Sequence, residues 1–310
     1  MSLSNRALRQ LLVITSALTV LGGPAWATEL WDPHLRGVDE GMAAGALPPP
    51  GVYGVLNSYW LSTTKYDSNG HKTAVRLDGI VEVPIVLWQT GLKVFGADYA
   101  VAIAQPFDYT NLRVAGAASL ANNGHWGTYN TIVIPGQLSW SLPYDLHLST
   151  GLTVYVDDAS SSPGNPPPGG GAGAGNGNWA LQPDFGVSWL HDGWNLSLGA
   201  HYAYNFENTT THYKSGQELA LDYTATKTVG KWILGLGAHQ ETQLTDDTGA
   251  GAVLDHCPTS NGCKVSIFGL GPLVGYQFGG LEMMAEYNMN LSAKNNVAGN
   301  FLNIRLVAPF

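Results

Sequence analysis

Apolar and polar residues alternate with a period of two along most of the chain, most clearly in the stretch 301–310. Its apolar face holds Leu302, Ile304, Leu306, Ala308 and Phe310, and Asn303 and Arg305 lie on the opposite face. Successive side chains of a strand point to opposite faces, so this period predicts one apolar and one polar side. Strands of a transmembrane β-barrel have this pattern, with lipid outside and the lumen inside. We interpret 301–310 as the closing strand of such a barrel; an edge strand of a soluble sandwich is the alternative.

About twelve alternating stretches follow residue 51, an even number, as is usual in bacterial barrels. They are residues 52–64, 75–88, 93–105, 130–141, 146–156, 179–190, 194–205, 215–229, 231–243, 264–278, 281–291 and 301–310. The pattern predicts an all-β fold, a transmembrane antiparallel up-and-down β-barrel. Because every backbone polar group in hydrocarbon needs a partner within the protein, the first strand is expected to pair with the last.

The connections between these stretches alternate between short and long. The short ones are 89–92, 142–145, 191–193, 230 and 279–280, and the long ones are 65–74, 107–129, 157–178, 206–214, 244–263 and 292–300. Barrels with both ends in the periplasm have short periplasmic turns and long outer loops. The longest low-complexity piece, 160–177, consists almost wholly of Ser, Pro, Gly, Ala and Asn, so we expect a mobile outer loop.

The N-terminal fifty residues lack the strand pattern. Residues 1–27 contain Arg6 and Arg9, an apolar run at 11–21 and a small-x-small site at 25–27, which predicts a secretory signal peptide. The apolar run is shorter than the roughly 20 residues of a membrane helix, and no later stretch comes closer, which argues against a helical membrane protein. Residues 28–50 end in three prolines and are expected to precede the barrel of 51–310, in the periplasm or folded back into the lumen.

Composition and charge agree with an exported barrel. Charged residues make up only 12% of the chain, and the mean hydropathy is −0.01, as expected when apolar and polar positions alternate. Removing the signal takes away two arginines, so 12 basic residues remain against 23 acidic ones, a net charge near −11. Nucleic acid is therefore not an expected partner. Tryptophans near the predicted strand ends fit interfacial girdles: Trp60, Trp88, Trp140, Trp179, Trp189, Trp194 and Trp232.

The two cysteines, Cys257 and Cys263, lie six residues apart in a predicted outer loop. An exported protein matures in an oxidising compartment, which favours a local disulfide. A two-cysteine metal site is the less favoured alternative, because no paired His or second Cys pair accompanies them. We predict no metal and no cofactor.

Charged residues at predicted inward positions are the candidate lumen residues. They are Arg76, Asp78, Glu82, Glu218, Asp222, Lys231, His239, Glu241, Glu282, Glu286 and Arg305. Glu286 and Arg305, on the last two strands, are candidates for an ion pair along the lumen wall. These groups either satisfy one another in a narrow barrel, the favoured interpretation, or guide a solute. A barrel of about twelve strands lies between the filled interior of eight strands and the open channel of sixteen.

Four short motifs resemble a known family in the family's order. They are Glu40-Gly41 with 45–53, the stretch 213–223, the stretch 243–247 with Gly249 and Gly251, and 269–272. The chain resembles the outer-membrane proteins of the MetA pathway of phenol degradation, relatives of the long-chain fatty-acid channel. Ala220, where the family often has His, and the cysteine loop depart from the pattern. The resemblance implies an outer-membrane barrel that passes small hydrophobic or aromatic compounds.

Passive uptake of a small apolar or aromatic solute is accordingly the predicted function, in the outer membrane of a Gram-negative cell. The predicted partners are this solute, outer-membrane lipid, and the barrel-assembly machinery, which would bind the strand ending at Phe310. A general diffusion porin or a structural barrel is the alternative. An outer-membrane hydrolase is less favoured, because no G-x-S-x-G or H-E-x-x-H motif marks the residues that could supply one: His147, His201, His239, Asp222, Ser149 and Ser197.

Overall fold

Extended strands make up nearly all the regular structure, as the period-two pattern predicts. The computed structural model describes residues 29, 31–115, 124–168, 170–254 and 263–310. Its strands are β1 Gly51–Tyr66, β2 Lys72–Val94, β3 Ala97–Ala104, β4 Phe107–Val114, β5 His125–Thr128, β6 Ile132–Leu142, β7 Leu146–Tyr155, β8 Ala180–His191, β9 Trp194–Asn205, β10 Glu218–Val229, β11 Trp232–Gln243, β12 Ser266–Phe278, β13 Leu281–Lys294 and β14 Val297–Pro309. A 3₁₀ turn at Pro143–Asp145 and a helix at Gly249–Leu254 complete the described elements. The predicted signal at 1–27 lies outside the described residues.

The sheet closes on itself. Every pairing is antiparallel between neighbouring strands, and β1 pairs with β14 on one side and with β2 on the other. Strand β2 pairs with β3 along one half of its length and with β4 along the other, so β4 continues β3 past Gln105-Pro106. Strand β5 continues into β6 in the same way. The wall therefore has twelve strands, which confirms the predicted closed antiparallel barrel.

The two ends of the barrel differ, and we name them by their connections. At the turn end lie the short connections, including the Phe95-Gly96 turn, whose two central residues have φ of 51° and 78°, as a type I′ hairpin turn requires. At the loop end lie the long connections. Large apolar side chains are exposed on the outer face, with Trp88 and Trp232 toward the turn end and Trp60 and Trp179 toward the loop end. Among the described residues, no helix is both long and apolar enough to cross a membrane.

The predicted loop 107–129 is wrong in part, because it contains strands β4 and β5. The expectation of an outer loop at 160–177 is also wrong for much of this piece. Residues 172–178 are all buried, and Asn176 accepts from the Trp31 backbone N–H and donates to the Trp31 carbonyl. Small residues permit this close approach, since a Cβ on Gly173 would meet the Ser162 backbone 2.7 Å away. The piece folds into the loop end of the barrel.

The predicted inward side of β2 is reversed. Leu77 and Val83 are buried, and Asp78 lies on the outer face, where it accepts from Ser62 and pairs with Arg113. Arg76 and Glu82 share that outer face, so the lumen assignment of Arg76, Asp78 and Glu82 is wrong. Arg76 and Asp78 lie closer to the loop end of the barrel than Trp60 does, in a region where the outer face can contact water. Alternation identifies two faces but does not say which one is inward.

The predicted disulfide involves Cys257, which lies outside the described residues, whereas Cys263 is fully buried beside Tyr213 and Val265. The pairing stays a prediction. Titration of the intact, denatured protein should find no free thiol. Reduction should lower the free energy of unfolding by only about 2–3 kcal/mol, because the closed loop is short. Two free thiols before reduction would contradict the bond.

Candidate functional site

The barrel interior is occupied by residues 31–46, which we call the lumen segment. It has no regular secondary structure, so its backbone polar groups need other partners. Side chains of the wall supply them. Thr224 Oγ1 accepts from the Gly41 N–H, Ser188 Oγ accepts from the Gly45 N–H, and Ser139 Oγ donates to the Gly45 carbonyl, each at 2.8 Å. Polar inward side chains thus serve the backbone of this segment.

Arg305 and Glu40 connect the middle of the lumen segment to the wall. The Arg305 guanidinium donates to the carbonyls of Val38 and Glu40 and to Asn57 Oδ1. Glu40 is fully buried, with one carboxylate oxygen 3.0 Å from His239 Nδ1 and the other 2.9 Å from Asn288 Nδ2. Burial, followed by the nearby Asp222 charge, raises the pKa of Glu40 to about 8.

The predicted ion pair between Glu286 and Arg305 is wrong. Glu286 lies opposite Asn303 in the β13–β14 register, and it accepts a hydrogen bond from Asn303 Nδ2 at 3.3 Å. Arg305 lies opposite Met284 and points at the lumen segment instead. The register, which sequence does not fix, separates the two charges.

Two further groups of charges hold the lumen segment. His34 Nε2 lies 3.0 Å from Asp222 Oδ2, and the His34 ring stacks on His201 with centroids 3.9 Å apart. Toward the loop end, Arg36 donates to Glu241 at 2.6 Å and pairs with Asp32. The two groups join residues 188 and 205 positions apart in the chain, and they fix the segment against β9, β10 and β11.

The structure places the remaining predicted lumen residues at different depths. Six are buried in the interior: Glu218, Asp222, His239, Glu241, Glu286 and Arg305. Glu282 is half-buried near the turn end, where it accepts from Gln277 Nε2 at 3.3 Å. Lys231 is exposed in the turn between β10 and β11, so its assignment to the lumen is wrong.

A cavity of about 270 Å³ lies between the lumen segment and the wall formed by β1–β4 and β6–β9. Its apolar lining comes from both sides: Trp31, Leu35, Val38, Met42, Val81, Val83, Ile85, Leu87, Ala102, Ala104, Ile132 and Ile134. The inward face of β2 is therefore its main apolar surface. The sequence indicates an apolar inward face, because residues 80–88 are apolar at both odd and even positions except at Glu82. Such a run is typical of a strand with apolar surroundings on both faces.

Polar groups on the cavity wall are mostly paired with one another. Asp184 accepts from Thr153 Oγ1 at 2.6 Å and from Gln182 Nε2 at 2.7 Å. Asp108, which lines the cavity and is only 4% exposed, has one carboxylate oxygen, Oδ1, without a hydrogen-bond partner. The site thus combines an apolar surface with the free Asp108 acceptor, which suits a small apolar solute carrying a hydroxyl group.

The serine hydroxyls considered for catalysis bond to groups other than histidine. Ser149 Oγ donates to the Ala44 carbonyl at 2.7 Å, and Ser197 Oγ donates to Asn195 Oδ1 at 2.5 Å. His201 and His239 face carboxylates, and His147 lies 3.2 Å from Ser141, a half-exposed pair near the turn end. Ser149 and His239 therefore contact the lumen segment directly, whereas Ser197 bonds within the wall.

Comparison with known proteins agrees with this architecture. The family described as MetA-pathway of phenol degradation matches residues 62–306. The COG4313 outer membrane channel from Pseudomonas putida F1 is similar in structure, with a TM-score of 0.73, 15% identity, and coverage of 88% of this chain and 100% of that chain. The CymD monoaromatic hydrocarbon channel gives a TM-score of 0.41 and 9% identity, with coverage of 84% of this chain and 89% of that chain. No functionally curated protein matches by sequence.

Proposed function

Because the chain belongs to the family of the MetA pathway of phenol degradation, we propose that it is an outer-membrane channel for passive uptake of small hydrophobic or aromatic compounds. The observation that carries this proposal is the apolar cavity beside the lumen segment. An engineered apolar cavity of about 150 Å³ holds benzene. A cavity of about 270 Å³ is therefore large enough for a substituted single ring.

The lumen segment favours a selective path over a general porin. A general porin needs an open, water-filled lumen. Here the segment is fixed by Arg305, by Thr224 and by the paired charges around His34 and Arg36. A solute that moves along the β2 face leaves water for apolar surface, and this transfer favours apolar solutes by about 25 cal/mol per Å² of buried area.

The proposal includes a location and an orientation. The outer face is apolar and exposed, with tryptophans near both ends of the barrel, which fits insertion in a bilayer. The loop end is expected to face the outside of the cell. Export by the signal at 1–27 and insertion by the barrel-assembly machinery through the stretch ending at Phe310 belong to the same proposal. A purified protein of this kind should migrate differently in SDS gels before and after boiling.

Filling the cavity tests the proposed path. Ala102 is buried, faces the cavity from β3, and lies opposite Leu87 and Ile134. Passing a solute beside an added ring should cost about 1–3 kcal/mol, so Ala102→Trp is expected to reduce the flux of phenol or toluene into liposomes by about tenfold. Flux of the wild-type protein should be greater for these solutes than for a sugar of similar size.

The matched control is Val101→Trp on the neighbouring position of β3, which points outward and does not line the cavity. This variant should keep wild-type flux, because its ring extends into lipid. Both variants must retain the heat-dependent gel shift of a closed barrel. Equal aromatic and sugar flux in the wild-type protein, or equal loss in both variants, would overturn the proposed path.

A further inference from the structure

Four metal-ligating side chains meet where the lumen segment contacts β9 and β10. His34 and Asp39 belong to the segment, and His201 and Asp222 belong to the wall. His34, His201 and Asp222 are buried, and one potential ligand atom of each lies within 4.8 Å of the other two. Asp39 Oδ2 lies 3.2 Å from His201 Nε2, and His34 Nε2 lies 3.0 Å from Asp222 Oδ2. His34, His201 and Asp222 thus offer two imidazole nitrogens and one carboxylate oxygen within reach of one ion, and the Asp39 carboxylate beside His201 is a fourth potential ligand.

His201 is oriented as a metal ligand usually is. Its Nδ1 lies 2.8 Å from Asp184 Oδ1. Because a carboxylate only accepts, Nδ1 carries a proton, and in the neutral ring the lone pair is then on Nε2. Nε2 is buried and makes no hydrogen bond of acceptable geometry, although it points at Asp39. A carboxylate that holds the far nitrogen of a ligating histidine is the usual outer partner in metal sites.

Two pairs of ligand atoms have a spacing close to that in the site of a small tetrahedral ion. With metal–ligand bonds of about 2.0–2.1 Å, neighbouring ligand atoms of a tetrahedron are about 3.3 Å apart. The two measured ligand pairs, 3.0 and 3.2 Å, are slightly contracted from this value. The His34 and His201 rings lie 17° from parallel, so coordination requires one ring to tilt. Asp222 is also supported by the Gly37 and Asp39 N–H groups, each at 3.2 Å.

Charge gives a second reason for a cation. Asp39, Asp184 and Asp222 bring three carboxylates beside two histidines. Asp222 is buried and the other two are partly buried, and a negative excess in such a place is unfavourable unless a cation or protons compensate it. The other cluster of this kind, Asp32 with Glu218 and Glu241, already contains the Arg36 guanidinium. The histidine cluster has no comparable fixed cation among its contacts in the described residues.

We propose that His34, Asp39, His201 and Asp222 form a binding site for a divalent transition metal, for which Zn²⁺ is the best-suited ion. Zn²⁺ accepts histidine nitrogen and carboxylate oxygen in tetrahedral sites, whereas Mg²⁺ and Ca²⁺ prefer more oxygen ligands. Because two ligands lie on the segment and two on the wall, the ion fastens the lumen segment to the barrel. This proposal does not depend on the identity of the transported solute.

Metal binding by the full-length protein in detergent tests the site. After treatment with EDTA and removal of the chelator, titration with ZnCl₂ should show one ion per chain, and MgCl₂ should not bind. Co²⁺ in the same site should give the visible absorption of a tetrahedral complex. His201→Ala should weaken Zn²⁺ binding by at least about a hundredfold. Asp184→Asn, which leaves the four proposed ligands in place and changes the outer partner of His201, should weaken Zn²⁺ binding by about 10–100-fold.

The matched control is His191→Ala, because His191 is also paired with an aspartate, Asp145 at 2.8 Å, but is exposed at the turn end. Its Zn²⁺ affinity should equal that of the wild-type protein, and all variants must show the heat-dependent gel shift. Absence of stoichiometric Zn²⁺ binding would overturn the proposal, since protons alone would then compensate the carboxylates. Unchanged binding in His201→Ala, or an equal loss in His191→Ala, would also overturn it.

Discussion

Deletion of residues 32–46 is expected to raise single-channel conductance in planar bilayers by about tenfold, because a twelve-stranded barrel without its lumen segment lies closer to an open pore. The same deletion should remove the preference for aromatic solutes over sugars. In the intact chain the segment forms one side of the apolar cavity through Leu35, Val38 and Met42. Without it, the cavity becomes part of a wider, wetter lumen that small polar solutes can enter.

The barrel itself should survive this deletion. Closure depends on the pairing of β1 with β14 and β2, and none of these strands includes residues 32–46. The heat-dependent gel shift should therefore remain. A variant in which 32–46 has the same composition in scrambled order is the matched control. It should also lose selectivity, because the side-chain pairs of His34 with Asp222, Arg36 with Glu241 and Glu40 with His239 depend on position. Unchanged conductance after deletion would contradict the assigned role of the segment.

Substitution of Arg305 by Ala should release the lumen segment without opening the barrel. The side chain is 2% exposed and donates to two carbonyls of the segment and to Asn57. Its removal leaves these acceptors buried without their donor and takes away a positive charge that acts on both Glu286 and Glu40. Breaking such a buried charged network usually costs about 3–5 kcal/mol.

Hydrogen exchange measures this effect directly. The amides of Gly37, Asp39 and Gly41 are hydrogen-bonded to wall side chains, so they report docking of the segment. Their protection should fall by about a hundredfold or more in Arg305→Ala, since each 1.4 kcal/mol is a factor of ten. In Arg305→Lys the protection of these amides should lie between that of the wild-type protein and that of Arg305→Ala, because one ammonium group cannot reproduce the several hydrogen bonds of the guanidinium.

Arg113→Ala is the matched control for Arg305→Ala. Arg113 is half-exposed on the outer face and pairs with Asp78 at 3.7 Å, so its loss should change stability by about 0–1 kcal/mol. Protection of the lumen segment should be unchanged in this variant. Equal loss of protection in both variants would mean that general destabilisation, and not docking by Arg305, explains the result.

The sequence alone determined the wall. Period-two alternation and the alternation of short and long connections predicted a closed antiparallel barrel of about twelve strands. These signals are local: each strand must present one face to lipid whatever the rest of the chain does. For the same reason the inward positions on β9, β10, β11, β13 and β14 could be read from the alternation, which places Asp222, His239 and Arg305 on the lumen side.

Only the tertiary structure decided what fills the wall and which side of β2 faces inward. The contact between Glu40 and His239 spans 199 residues, and that between Arg305 and Glu40 spans 265. No local period encodes such pairs. Because the lumen segment brings Trp31, Leu35 and Val38 against β2, the apolar face of this strand lies inside, contrary to the rule that polar residues face a lumen. The cavity exists for the same reason: it lies between two parts of the chain that are joined only by folding.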